Sequence, residues 1–161
     1  MKNGSIINDL LLSNPFHRGM IEFLILVATG ICGLVFSWAK FSIFPVSNIL
    51  GGLLILSAFV FHMWKEKEHR QAHERSEDID TLVTSGVYAK IRHPLYLSII
   101  ILNIGIALSF GVFLTFIMAL LTIIHWIATS LKEEEVLLQK FPNAYNQYKI
   151  SVRWRMIPGI F

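Results

Sequence analysis

The chain has very little cysteine and very little charge. Cys32 is its only cysteine among 161 residues. An internal disulfide and a multi-cysteine metal site are therefore excluded. Because Cys32 lies inside an apolar block, its reading is a small packed or lipid-facing residue. Charged residues make up only 16% of the chain and apolar residues 54%, where soluble domains carry about 25% and about 45–50%. There is no stripe of basic residues, so nucleic acid is not an expected partner. There is also no glycine-rich loop between a strand and a helix, so a dinucleotide-binding fold is not expected. Asp9, Asn14 and Pro15 stand ahead of the first apolar run, and that run is long enough to span a membrane, so no cleaved leader is expected.

What is present comes in apolar blocks, which points to lipid as the solvent. The expectation is an all-α polytopic membrane protein with about four transmembrane helices, in a single membrane domain over residues 1–161. Ile6, Ile7 and Leu10 to Leu12 suit the membrane surface. Residues 19–38 form the first spanning candidate, with one charge, Glu22, near its start and Trp38 and Lys40 at its far end. Residues 43–64 form the second, with Pro45 in the first turn and Gly51-Gly52 allowing a close helix approach. Residues 65–94 form a polar connector. Its first half mixes both charge signs at helical spacings such as Glu66 with Arg70, and Thr84-Ser85-Gly86 breaks it.

Residues 95–131 hold no acid or base except His125. A single helix of that length would run about 55 Å, too long for one crossing. Ser109-Phe110-Gly111 is the natural break, so a tight hairpin is expected, with helices over Leu95–Leu108 and Val112–Leu131. The second helix should continue beyond the membrane through Glu133, Leu137 and Phe141, and Pro142 interrupts it. Residues 132–161 complete the chain with a short helix and tail. Of 14 lysines and arginines, only Lys40 falls on the side opposite the connector and the termini. The positive-inside rule then puts both termini and the connector in the cytoplasm.

Two polar clusters meet on that face. Tyr88, Arg92, His93 and Tyr96 supply two flat rings, one permanent cation and one titratable ring within nine positions. The set suits an aromatic base and a carboxylate together, and Arg92 and His93 equally suit anchoring in the headgroups. Glu133-Glu134-Glu135 follows the fourth helix. Glu133 shares a face with His125 and Thr129, whereas Glu135 reads as solvated. Asn103 lies seven residues after Tyr96 on the same helix face. It reads either as helix–helix glue or as lining of a substrate channel. His69 and His73 have the spacing of a metal pair, but solvated histidines of a charged helix are the better reading. His62 and His125 as haem ligands are a weaker reading than packed histidines.

Leu82 to Val87-Tyr88, followed by Arg92-His93-Pro94-Leu95-Tyr96, resembles the G-P-Y-x-x-x-R-H-P-x-Y signature. Glu133, Glu134, Leu137, Phe141, Tyr145 and Tyr148 resemble its partner, E-E-x-x-L-x-x-x-F-G-x-x-Y-x-x-Y. Both are similar to the integral-membrane methyltransferases of the isoprenylcysteine carboxyl methyltransferase and phospholipid methyltransferase group. The likeness covers residues 80 to 158. Val87 stands for the usual proline, Ser98 for a frequent glycine, and Pro142 for the glycine after Phe141.

The resemblance implies S-adenosylmethionine as cofactor, held on the cytoplasmic side by Tyr88, Arg92, His93, Pro94, Tyr96, Glu133, Glu134, Leu137, Phe141 and Tyr145. It implies a lipid-like methyl acceptor from the bilayer, with Asn103 and Arg153 on the acceptor side. Arg92, Glu133 and Arg153 are then the catalytic candidates, and no metal is called for. The expected activity is isoprenylcysteine-type carboxyl O-methylation. Phospholipid N-methylation is the alternative within the enzyme class; a non-catalytic haem-binding or scaffold membrane protein is the alternative outside it.

Overall fold

A computed structural model describes residues 11–41, 43–66 and 80–161, except the side chains of residues 64–66. The charged stretch with His69 and His73 lies outside the described residues, as do Ile6, Ile7 and Leu10. The described chain is helical throughout: α1 (Pro15–Val35), α2 (Val46–Glu66), α3 (Pro94–Phe110), α4 (Phe113–Lys140) and α5 (Pro142–Ser151), with a 3-10 turn over Gly86–Ala89. α1, α2 and α4 are long and apolar enough to cross a membrane, and α3 is a shorter apolar helix. Many of their large apolar side chains, such as Leu24, Leu56 and Ile124, are exposed. This is the surface of a protein whose surroundings are lipid.

Local chemistry sets the helix ends. Asn14 caps α1: its Oδ1 accepts from the Phe16 and His17 amides at 2.9 and 3.4 Å, and Pro15 occupies the first turn, where no donor is lost. α1 therefore starts four residues before the expected boundary and ends at Val35 rather than at 38. α2 begins at Val46, so Pro45 lies just ahead of it rather than inside its first turn. The hairpin break falls where expected, but its helices run closer together. α3 continues to Phe110, and Gly111, at φ 63°, supplies the left-handed residue that ends it. α4 then runs unbroken through Glu133 and Leu137 to Lys140. Pro142 opens α5 instead of merely ending α4.

The bundle is closed by small residues. A Cβ on Gly51 would lie 2.6 Å from the Gly105 carbonyl oxygen, so α2 and α3 cross backbone to backbone there. Gly33 of α1 similarly receives Val112 of the hairpin turn. The loop after α1 folds over that turn: the Phe41 amide donates to Gly111 O at 3.0 Å, and the Phe113 amide to Ala39 O at 2.9 Å. Lys40 thus marks one end of the bundle, and the start of α3 and the acidic turn of α4 mark the other. An apolar groove of about 210 Å³ opens at the second end, between Phe16, Gly19 and Phe23 of α1, Phe59 of α2, and Leu95 and Ile99 of α3. Leu95, Ser98, Ile99 and Leu102 form the α3 face toward this groove; Tyr96 and Asn103 lie on the other face.

Candidate active site

Three segments distant in sequence are joined at the second end of the bundle. Between the 3-10 turn and α3 the chain is irregular, which leaves the Arg92 and His93 amides without helical partners. They donate to the carbonyls of Trp154 and Arg155 in the tail, at 3.0 and 2.7 Å. α4, emerging beside them, brings Glu133 and Glu134 on consecutive turn positions.

The side chains close a buried knot of charge. Glu134 Oε1 accepts from Arg92 Nε at 2.9 Å and Arg155 Nε at 3.1 Å, and lies 3.2 Å from His93 Nε2. A second Arg92 donor, Nη1, reaches the carbonyls of Val152 at 2.8 Å and Arg153 at 3.2 Å. His93 sits between the two acids, with Nδ1 3.3 Å from Glu133 Oε2. Its ring stacks on Tyr96, with centroids 5.3 Å apart and planes 7° from parallel. The Tyr96 hydroxyl donates to Glu133 Oε2 at 2.6 Å, and the ring packs 4.8 Å from that of Trp126. Burial pulls the His93 pKa down most strongly, but hydrogen bonds and charge from Glu133 and Glu134 outweigh it and raise the value above that of an ordinary histidine.

An aromatic wall adjoins the knot. Leu137, Tyr145, Tyr148 and Val152 form one buried cluster, and Phe141 packs against it. The Tyr148 hydroxyl donates to the Tyr88 carbonyl at 2.7 Å, tying α5 to the first motif. The Tyr145 hydroxyl is buried without a hydrogen-bond partner among the described residues. Burial raises both phenol pKa values, so each remains a donor.

Tyr88, Arg92, His93, Pro94, Tyr96, Glu133, Glu134, Leu137, Phe141 and Tyr145 are thus brought together. The two acceptor-side residues are not. The Arg153 side chain is exposed and lies 5.7 Å over the Trp154 ring; its neighbour Arg155 makes the contact with Glu134. The tail bends at Arg155, so these two arginines, two residues apart, do not share a direction as they would in a regularly extended chain. Asn103 is fully buried two turns deeper, donating to Glu22 Oε2 at 3.2 Å and Thr122 Oγ1 at 3.1 Å. Of the two readings, the helix-joining one describes these contacts. Glu135 is exposed and paired with Lys132, as a solvated acid should be.

Sequence reasoning missed Arg18, Glu22, Trp126 and Arg155. Arg18 and Glu22 are four residues apart inside an apolar run, a spacing that puts both on one buried face. That signal was available.

The architecture and this buried interfacial knot define a polytopic helical membrane protein with a polar site at one end of its bundle. The chain belongs to the phospholipid methyltransferase family, whose family model matches residues 46–144. It is also similar to a protein-S-isoprenylcysteine O-methyltransferase of Schizosaccharomyces pombe, 31% identical over 117 residues. That match covers 70% of this chain and 49% of the relative, so the chain spans about half the length of the relative.

Proposed function

We propose that the protein is an S-adenosylmethionine-dependent methyltransferase of lipid-like acceptors, and that its first activity is O-methylation of a carboxylate, as the name of the fission-yeast relative suggests. The observation that carries this reading is the knot itself. Both motifs and the tail converge on a buried site whose donors and acceptors match an amino-acid headgroup, and beside it the Tyr145 hydroxyl is left without a partner. The charge asymmetry of the sequence supports a cytoplasmic position for this end of the bundle, where the soluble cofactor is found.

The residues fit that cofactor. Arg92 and His93 are the groups for its carboxylate, Glu133 and Glu134 for its ammonium or ribose. Leu137, Phe141 and Tyr145 suit the flat adenine. When bound, it supplies an electrophilic methyl group on a sulfonium. Transfer of that group is an in-line displacement, so the protein contributes mainly orientation and exclusion of water. The Tyr96–Glu133 hydrogen bond and the stacked His93 ring fix the pocket wall before any ligand arrives. The two acids beside His93 favour its charged form, which suits it less to the part of a base. A carboxylate acceptor needs no base; an amine acceptor must lose a proton.

Calorimetric titration of S-adenosylhomocysteine tests this. The wild type should bind it, and Glu133→Ala should bind at least tenfold more weakly. No binding by the wild type sinks the methyltransferase reading; equal binding by the two proteins removes Glu133 from the pocket.

A further inference from the structure

Arg18 and Glu22 are charged side chains inside a membrane-spanning helix, in the part of the chain that precedes the family match. Such residues are rare in spanning helices, face the bundle interior and point to function. Both face α4. Glu22 Oε2 accepts from Trp126 Nε1 at 2.7 Å and from Asn103 Nδ2 at 3.2 Å. These neutral donors occupy Oε2, Oε1 lies 3.8 Å from His125 Nε2, and no hydrogen bond joins Glu22 to Arg18 among the described residues.

Arg18 extends toward the site. Its Nη1 donates to Thr129 Oγ1 at 2.9 Å and lies 3.1 Å from His125 Nε2. The guanidinium sits 4.8 Å over the Trp126 ring, which packs in turn on Tyr96, the residue that joins Glu133. Arg18 is 8% exposed, and its Nε has no hydrogen-bond partner among the described residues. A buried N–H left unmade is costly. A guanidinium with an unspent donor is suited to one kind of ligand, an oxyanion that accepts from two of its nitrogens. An opening exists. The side chains of His125 and Glu22 are 25% and 16% exposed, and Leu121 and Ile124 beside His125 face lipid. A headgroup whose chain stays in the bilayer can approach Arg18 between α1 and α4.

We propose that Arg18 is the anion-binding residue of the acceptor site and that it takes the carboxylate of a lipid-like acceptor. The inference rests on the methyltransferase reading and gives α1 the role that sequence analysis assigned to Arg153. It also makes the site selective: a methyl ester carries no charge, so Arg18 favours the free acid over the product.

The test uses the full chain in lipid nanodiscs and needs no methyl donor. N-acetyl-S-farnesylcysteine and its carboxamide, which differ in the anion, are titrated into the wild type, Arg18→Gln and Arg18→Lys. The wild type should bind the acid about tenfold to hundredfold more tightly than the amide, the range of one charge-assisted contact. Arg18→Gln should bring the two within threefold of each other, and Arg18→Lys should keep part of the preference. Phosphatidic acid is the second arm. If it displaces the farnesylated probe from the wild type but not from Arg18→Gln, the anion is a phosphate headgroup and the anion site stands. A wild type without preference for the acid overturns the proposal even if neither variant folds. So does an unchanged preference in Arg18→Gln. Titration of S-adenosylhomocysteine into the same wild type separates this from the methyltransferase reading, because that reading fails on cofactor binding and this one on acid preference.

Discussion

Glu134→Gln removes one negative charge while keeping nearly the same shape, and it tests whether Glu134 holds the site together. The Arg92 and Glu134 side chains are each 6% exposed. Removing one partner of a buried pair costs about 3–5 kcal/mol. Two features place this case at the lower end. Arg92 keeps its bonds to the Val152 and Arg153 carbonyls, and glutamine still offers an acceptor oxygen. The Arg155 side chain is 29% exposed, so its share is under about 1 kcal/mol. The expected loss is about 3 kcal/mol, or about 6–12 °C in melting temperature for a chain of this length. Thermal unfolding in detergent, followed by tryptophan fluorescence, measures it. Glu135→Gln, at an exposed position, is the control and should melt like the wild type. A Glu134→Gln protein melting within about 2 °C of the wild type would refute the reasoning, because the knot would then be a consequence of packing rather than a cause of it.

Three other outcomes are expected. The raised pKa of His93 means that its contribution to stability is full below about pH 6.5 and is lost as pH climbs through the raised value. Melting temperature should therefore fall on the alkaline side, and His93→Gln should flatten that slope; a parallel slope in the variant would remove His93 as its source. Gly51→Ala puts a methyl group against the Gly105 carbonyl and the Ser109 amide, both at 2.6 Å; backbone cannot step aside cheaply, so a loss of about 1–3 kcal/mol is expected, and unchanged melting would contradict the close crossing. Arg153→Ala should leave stability within about 0.5 kcal/mol of the wild type, as for an ordinary surface change, and a larger loss would show that its side chain does more than cover Trp154.

The hairpin was legible because charge-free length has only one solution in a bilayer, and Ser109-Phe110-Gly111 was the one place to turn. The gathering of His93 with Glu133 was legible for the same reason: a hairpin returns its ends to one depth. Arg155 was not. Regular alternation would send Arg153 and Arg155 the same way, and nothing in Arg153-Trp154-Arg155 announces the bend that separates them. Arg18 and Glu22 were hidden differently. Each has an ordinary reading on its own, a flanking cation and a stray acid. Their spacing of four marks one helix face, but only contact with Trp126, more than a hundred residues away, shows what that face meets.

The tail meets the first motif through main-chain bonds, the Arg92 and His93 amides on the Trp154 and Arg155 carbonyls. Main-chain bonds of this kind do not depend on which side chains the tail carries. Substitutions at Arg153 or Trp154 can therefore reshape the surface next to the pocket without unfastening its wall. The tail can be retailored while the site beneath it stays as it is.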